Sequence, residues 1–125
     1  MPRNSVSILL IEDDPFLRDA LRLLLEEAGY RVREAASVAQ ALELAAAEPP
    51  SLVILDLGLP DGPGLEVVRA LRERPATQDV PVVALTGRVG PEEEQACRQA
   101  GCRAYWAKPL PPLELLRRIP ELLQG

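Results

Sequence analysis

The stretch SLVILDLGLPDG, residues 51–62, runs through four aliphatic residues and stops on Asp56. A carboxylate at the end of a buried strand is poorly solvated, so it must be paired, metal-bound or chemically used. Three other apolar runs end on reactive side chains. VSILLI (6–11) meets Glu12, Asp13 and Asp14, VPVVAL (80–85) meets Thr86, and YWA (105–107) meets Lys108-Pro109. The chain has no histidine. That excludes imidazole bases, Cys–His pairs and imidazole metal ligands, and leaves carboxylates, hydroxyls and lysine. If the carboxylates converge, each like-charge pair at about 4 Å costs roughly 4 kcal/mol at an effective dielectric near 20. A proton or a divalent cation relieves it. Oxygen donors with waters and a backbone carbonyl suit Mg²⁺, whereas zinc wants His or Cys. A carboxylate beside Mg²⁺, an ammonium and a hydroxyl can accept a phosphoryl group as an aspartyl phosphate. In such a site Mg²⁺ bridges Asp56 and one phosphoryl oxygen, Lys108 neutralises a second, and the Thr86 hydroxyl donates to a third.

These residues meet only if the strands that carry them lie side by side. Asp14-Pro15 is a helix start, followed by an apolar stripe of Leu17, Leu21, Leu24, Leu25 and Ala28 that Gly29 stops. Tyr30 to Ala35 reads as a strand. Ser37 caps a second helix with Val38, Ala41, Leu42 and Ala45, which ends at Pro49-Pro50. After the 52–56 strand and a PDGPG turn, Leu65, Val68 and Leu71 mark a third helix, stopped by Pro75. The 80–86 strand, a helix over 92–100 ended by Gly101, and a strand over 102–107 follow. Leu113, Leu116 and Ile119 mark a last helix that Pro120 should end or kink. Strand and helix alternate five times, which predicts an α/β fold with a doubly wound parallel sheet, order 2-1-3-4-5, and five helices. In that flavodoxin-like arrangement the functional crevice lies at the carboxyl ends of the strands, beside strands 1 and 3. Glu12, Asp13, Asp56, Thr86 and Lys108 all fall on that edge.

At 125 residues the chain is expected to form one domain, 1–125. Hydrophobic residues reach 47% but aromatics only 3%, so aliphatic side chains must fill the core. A net charge of −5 argues against direct binding to nucleic acid or an anionic membrane. No apolar run is long enough to span a bilayer, and the N-terminus lacks a secretory pattern, so a cytoplasmic protein is expected. In that compartment Cys97 and Cys102 are expected to be partly buried free thiols. Asp14 reads as a helix-cap acid, Trp106 as a residue packed in the core or under the last helix, and Arg117-Arg118 as a solvated pair.

The segments LLIEDDP (9–15), VILDLGLPDGPGLE (53–66), VVALTG (82–87) and YWAKP (105–109) together resemble the receiver domain of two-component response regulators. The resemblance runs along essentially the whole chain. It implies that Asp56 is the phosphoacceptor and that Glu12 and Asp13 are the acidic pair, with Asp13 the direct Mg²⁺ ligand and Glu12 acting mostly through water. It implies the Gly58 carbonyl as a further metal ligand, Thr86 as the switch hydroxyl, Lys108 as the phosphate-binding lysine and Tyr105 as the aromatic that changes rotamer. Pro109 would shape the last loop, where the family's Lys-Pro bond is commonly cis. The implied partners are a histidine kinase or phosphotransfer protein, then a downstream protein or attached output domain, with pairing of two copies through the helix 4 to helix 5 face. Receivers catalyse only their own phosphorylation and dephosphorylation.

Three features depart from the family's habit. Gly87 stands where Ala is commoner, Gly58 and Arg88 occupy the two positions that tune phosphoryl lifetime, and Gly90-Pro91 precedes the fourth helix. Two rival readings remain. A haloacid-dehalogenase-type phosphatase also uses a strand-end Asp but needs a second acid two residues on, where this chain has Gly58. A receiver fold serving only as a non-phosphorylated interaction module predicts a damaged acidic site, and the acidic site is intact.

Overall fold

A computed structural model of the chain describes residues 5–87 and 90–124. The expected role of Arg88 therefore lies outside the described residues. Five strands, β1 (Ser7–Ile11), β2 (Arg31–Ala35), β3 (Leu52–Leu55), β4 (Val82–Thr86) and β5 (Ala104–Ala107), form one parallel sheet in the order β2-β1-β3-β4-β5. The helices between them are α1 (Pro15–Glu27), α2 (Val38–Ala47), α3 (Leu65–Arg72), α4 (Pro91–Ala100) and α5 (Pro112–Leu123). This is the expected topology. A two-residue antiparallel ladder, Gly58–Leu59 against Gly62–Pro63, was not expected; it closes the turn after β3.

The central strands are buried on both faces, and their side chains alternate between two cores. Leu9, Ile11, Val53, Leu55, Val82 and Ala84 face α2, α3 and α4, joined by Ala41, Ala45, Val67, Val68, Leu71 and Cys97. Ile8, Leu10, Leu52, Ile54, Val83 and Leu85 face α1 and α5, joined by Leu21, Leu25, Leu115, Ile119 and Leu122. Trp106 packs on this second core with Arg118 over its ring at 5.3 Å, so it does lie under the last helix. Among the described residues no helix is long and apolar enough to cross a membrane.

The helices start where the sequence signals them. The Asp14 side chain accepts from the N–H groups of Phe16 and Leu17, with Pro15 opening α1, and Ser37 accepts from Gln40 N–H at α2. The last helix is not ended by Pro120. It runs through Pro120 to Leu123, and its buried face is Leu115, Ile119 and Leu122, while Leu113 is 73% exposed. A proline inside a helix costs about 3 kcal/mol. Burying Ile119 and Leu122 on either side, each contributing about 1.5–3 kcal/mol, offsets that cost.

The segment after β3 folds tightly on itself. Gly64 N–H donates to the Leu57 carbonyl at 2.9 Å, and a Cβ at Gly64 would stand 2.8 Å from the Asp56 carbonyl oxygen and 2.9 Å from Leu57 Cα. Both are backbone atoms that have little room to retreat. Gly64→Ala is therefore expected to destabilise the fold by about 1–3 kcal/mol in urea unfolding. A neutral or stabilising substitution would contradict this packing. Cys97 and Cys102 are buried and unbridged, and burial pushes the Cys102 thiol up to about 12. A thiol reagent at pH 8 should leave both unmodified in the native chain and modify both after unfolding; rapid labelling of the native chain would contradict their burial.

Candidate functional site

The four neighbouring strands β1, β3, β4 and β5 deliver their end residues to one edge. Backbone hydrogen bonds extend the sheet past its formal ends: Glu12 N–H to Ala35 O at 3.0 Å, Asp56 N–H to Ile11 O at 2.9 Å, and Lys108 N–H to Thr86 O at 2.8 Å. These bonds fix the level at which each side chain leaves its strand. One carboxylate oxygen each from Glu12, Asp13 and Asp56 lies within 4.8 Å of the others.

The three acids differ in setting. Glu12 is 3% exposed. Its Oε1 accepts from Lys108 Nζ at 2.8 Å and its Oε2 from Asp14 N–H at 3.2 Å. Asp13 is exposed at the rim. Asp56 lies between them in burial, and its Oδ1 accepts from Gly58 N–H at 3.3 Å. Lys108 Nζ stands 3.7 Å from Asp56 Oδ2, so one ammonium serves two carboxylates. Burial alone would lower the Lys108 pKa. The hydrogen bond to Glu12 and the charges of Glu12, Asp56 and Asp13 outweigh it, and the ammonium is held above its ordinary range.

The donor set fits a hard divalent cation. Mg²⁺ holds oxygens at about 2.1 Å, so opposite ligands lie roughly 4.2 Å apart. Small side-chain rotations bring oxygens already within 4.8 Å into that range. Gly58 is exposed and a Cβ there would meet nothing within 4 Å, so the site mouth beside its backbone is open.

Thr86 ends β4 at 2% exposure, with its carbonyl on the Lys108 amide. The Lys108-Pro109 peptide is cis. Tyr105 lies on the opposite face of β5 from Trp106 and packs with the core that includes Cys97 of α4. Burial, then the proximity of Cys97, Glu93 and Glu94, raises its phenol pKa, with a backbone hydrogen bond from Gly90 opposing. The ring therefore stands at the amino end of α4. Gly87 leaves open space, so nothing in the described surroundings forbids the commoner Ala.

Two residues that shape the site were not singled out from sequence. Gly64 sets the path of the loop after β3 through its close approach to Asp56 and Leu57. Asp61 ties that loop to α2, its carboxylate accepting from Val38 N–H at 2.7 Å and Ala39 N–H at 3.1 Å. The PDG turn signalled a bend, but not a cap on a helix that begins 23 residues earlier.

Residues 8–120 match the family described as response regulator receiver domain. The KDP operon transcriptional regulatory protein KdpE of Escherichia coli is 42% identical over 113 residues, which are 90% of this chain and 49% of that protein, so the chain spans about half of KdpE. Among solved structures, the chemotaxis protein CheY4 of Vibrio cholerae superposes with a TM-score of 0.89 at 28% identity, covering 94% of this chain and 98% of CheY4. The receiver domain of the sensor histidine kinase PA1611 from Pseudomonas aeruginosa, which has a magnesium ion coordinated in its active-site cleft, gives 0.87 at 31% identity, covering 96% and 98%. The family match reaches from the first strand into the last helix and takes in every strand end at the site; the chain belongs to the receiver domains of response regulators.

Proposed function

We propose that the chain accepts a phosphoryl group on Asp56, with Mg²⁺, from a histidine kinase or phosphotransfer protein. The observation that carries this reading is the convergence of Glu12, Asp13 and Asp56 around one ammonium, Lys108. An Asp56 oxygen attacks phosphorus and forms a P–O bond. The P–N bond to the donor imidazole breaks, and its electron pair stays on nitrogen, which keeps or takes up a proton. Glu12, Asp13, Asp56 and the Gly58 carbonyl would hold Mg²⁺, which neutralises charge on the transferring group when bound. Lys108 leaves Glu12 for a phosphoryl oxygen, a movement favoured by its 3.7 Å distance from Asp56. Thr86 donates to another oxygen.

The switch follows from these movements. Thr86 draws towards the phosphoryl group and vacates space beside β5, and Tyr105 changes rotamer to fill it. Tyr105 meets the start of α4, which buries only Cys97 among its ten residues and so is weakly anchored. A small bias there shifts the face made by α4, β5 and α5. That face is where a downstream protein, an attached output domain or a second copy would dock. The same reading puts the protein in the cytoplasm, with no nucleic-acid or membrane contact of its own; its net charge of −5 supports this.

Incubation with Mg²⁺ and acetyl phosphate is expected to add one phosphoryl group to the intact mass. Asp56→Asn and EDTA should each abolish the gain. An unchanged mass, together with no response to beryllofluoride, would remove the phosphoryl reading and leave an interaction module. Thr86→Ala should still bind beryllofluoride but lose the accompanying change in Tyr105 ring resonances. A wild-type change in that variant would break the proposed link between the two residues.

A further inference from the structure

Arg18 lies in the first turns of α1, and its guanidinium contacts the site from behind. Nη1 donates to the Glu12 backbone carbonyl at 2.9 Å, and Nε donates to Glu34 Oε2 on β2 at 3.0 Å. The other Glu34 oxygen takes Arg22 of α1. The side chains of Arg18 and Glu34 are only 22% and 28% exposed. The Glu12 carbonyl belongs to the peptide that joins Glu12 to Asp13. Its plane sets where the Asp13 Cα lies and where the Asp13 carboxylate is aimed. Glu12 N–H is bonded to Ala35 O, so β2 holds this turn twice, once directly and once through Glu34 and Arg18.

We propose that Arg18 is a positioning residue for the metal site, fixing the Glu12–Asp13 peptide so that both acids present oxygens to Mg²⁺, and that Glu34 aims Arg18. The assignment rests on the Mg²⁺ reading of Glu12, Asp13 and Asp56. Its sign is opposite to that of simple electrostatics. A guanidinium beside a cation site repels the cation, so removing its charge alone would tighten Mg²⁺ binding. Glu34 already offsets that charge. Losing the hold on the peptide loosens binding instead.

The test is calorimetric titration of the full chain with Mg²⁺, with melting temperatures measured in parallel. Arg18→Met is expected to weaken Mg²⁺ binding about tenfold, as for other groups that orient metal ligands. Arg18→Lys keeps the charge and one donor and should fall between that variant and wild type. It also carries the comparison if Arg18→Met melts below the titration temperature. Glu34→Gln should weaken binding less, and should add nothing in the Arg18→Met background. Unchanged or tighter binding by Arg18→Met or, where that variant does not fold, by Arg18→Lys, overturns the assignment, as do Arg18→Met and Glu34→Gln effects that simply add. A wild-type chain that binds no Mg²⁺ overturns the metal reading, and this assignment with it.

Discussion

Mutual repulsion among Glu12, Asp13 and Asp56 is the constraint to which the site region answers. Three carboxylates are brought within 4.8 Å by strands that cannot move apart without opening two cores. One of them, Glu12, is almost fully buried. Among the described residues, the counter-charge within the cluster is Lys108, which reaches Glu12 across 96 positions of sequence. That ammonium is shared with Asp56 at a longer distance, so negative charge is left at the rim. In the proposed function that surplus would draw in a divalent cation, and the cation and the lysine together would draw in a phosphoryl group.

The parallel topology sorts charge along the sheet axis. Every helix starts near the carboxyl edge, so its positive dipole end and free N–H groups face the acids there. Asp14 and Asp61 use this directly, capping α1 and α2. At the other edge the helices end, and arginines meet their last carbonyls. Arg33 donates to Leu44 O of α2 and to Glu48 O just after it, Arg72 to Gly101 O after α4, and Arg103 to Leu122 O of α5. The carboxyl edge thus collects carboxylates, while a separate set of side chains satisfies the structural needs of the far edge.

The strand order and the strand-end residues were legible because both depend on short-range patterns. Four aliphatic residues ending in Asp56 declare a buried strand and its terminus, and five alternations leave few topologies. Of the three apolar residues that mark the last helix in the sequence, Ile119 is buried and Leu116 packs against the same core, but Leu113 faces solvent and Leu115 and Leu122 complete the buried face, and Pro120 does not end the helix. Packing against α1 and β5 in the completed fold, which no local pattern shows, selects that face. Asp61 and Gly64 escaped because their partners are backbone groups, and Arg18 because its link to the site is the Glu12 carbonyl. A carbonyl or an N–H has no letter of its own in the sequence, and whether a given Arg, Asp or Gly meets one depends on the completed fold.

In the proposed function the clustered carboxylates form a divalent-cation site with Asp13 at its open side. The most direct measurement is the melting temperature of wild type and Asp13→Asn with and without Mg²⁺. A ligand that binds only the native state raises stability by mass action. Mg²⁺ is expected to raise the melting temperature of wild type and to leave that of Asp13→Asn nearly unchanged. Equal shifts in both, or none in wild type, would contradict it.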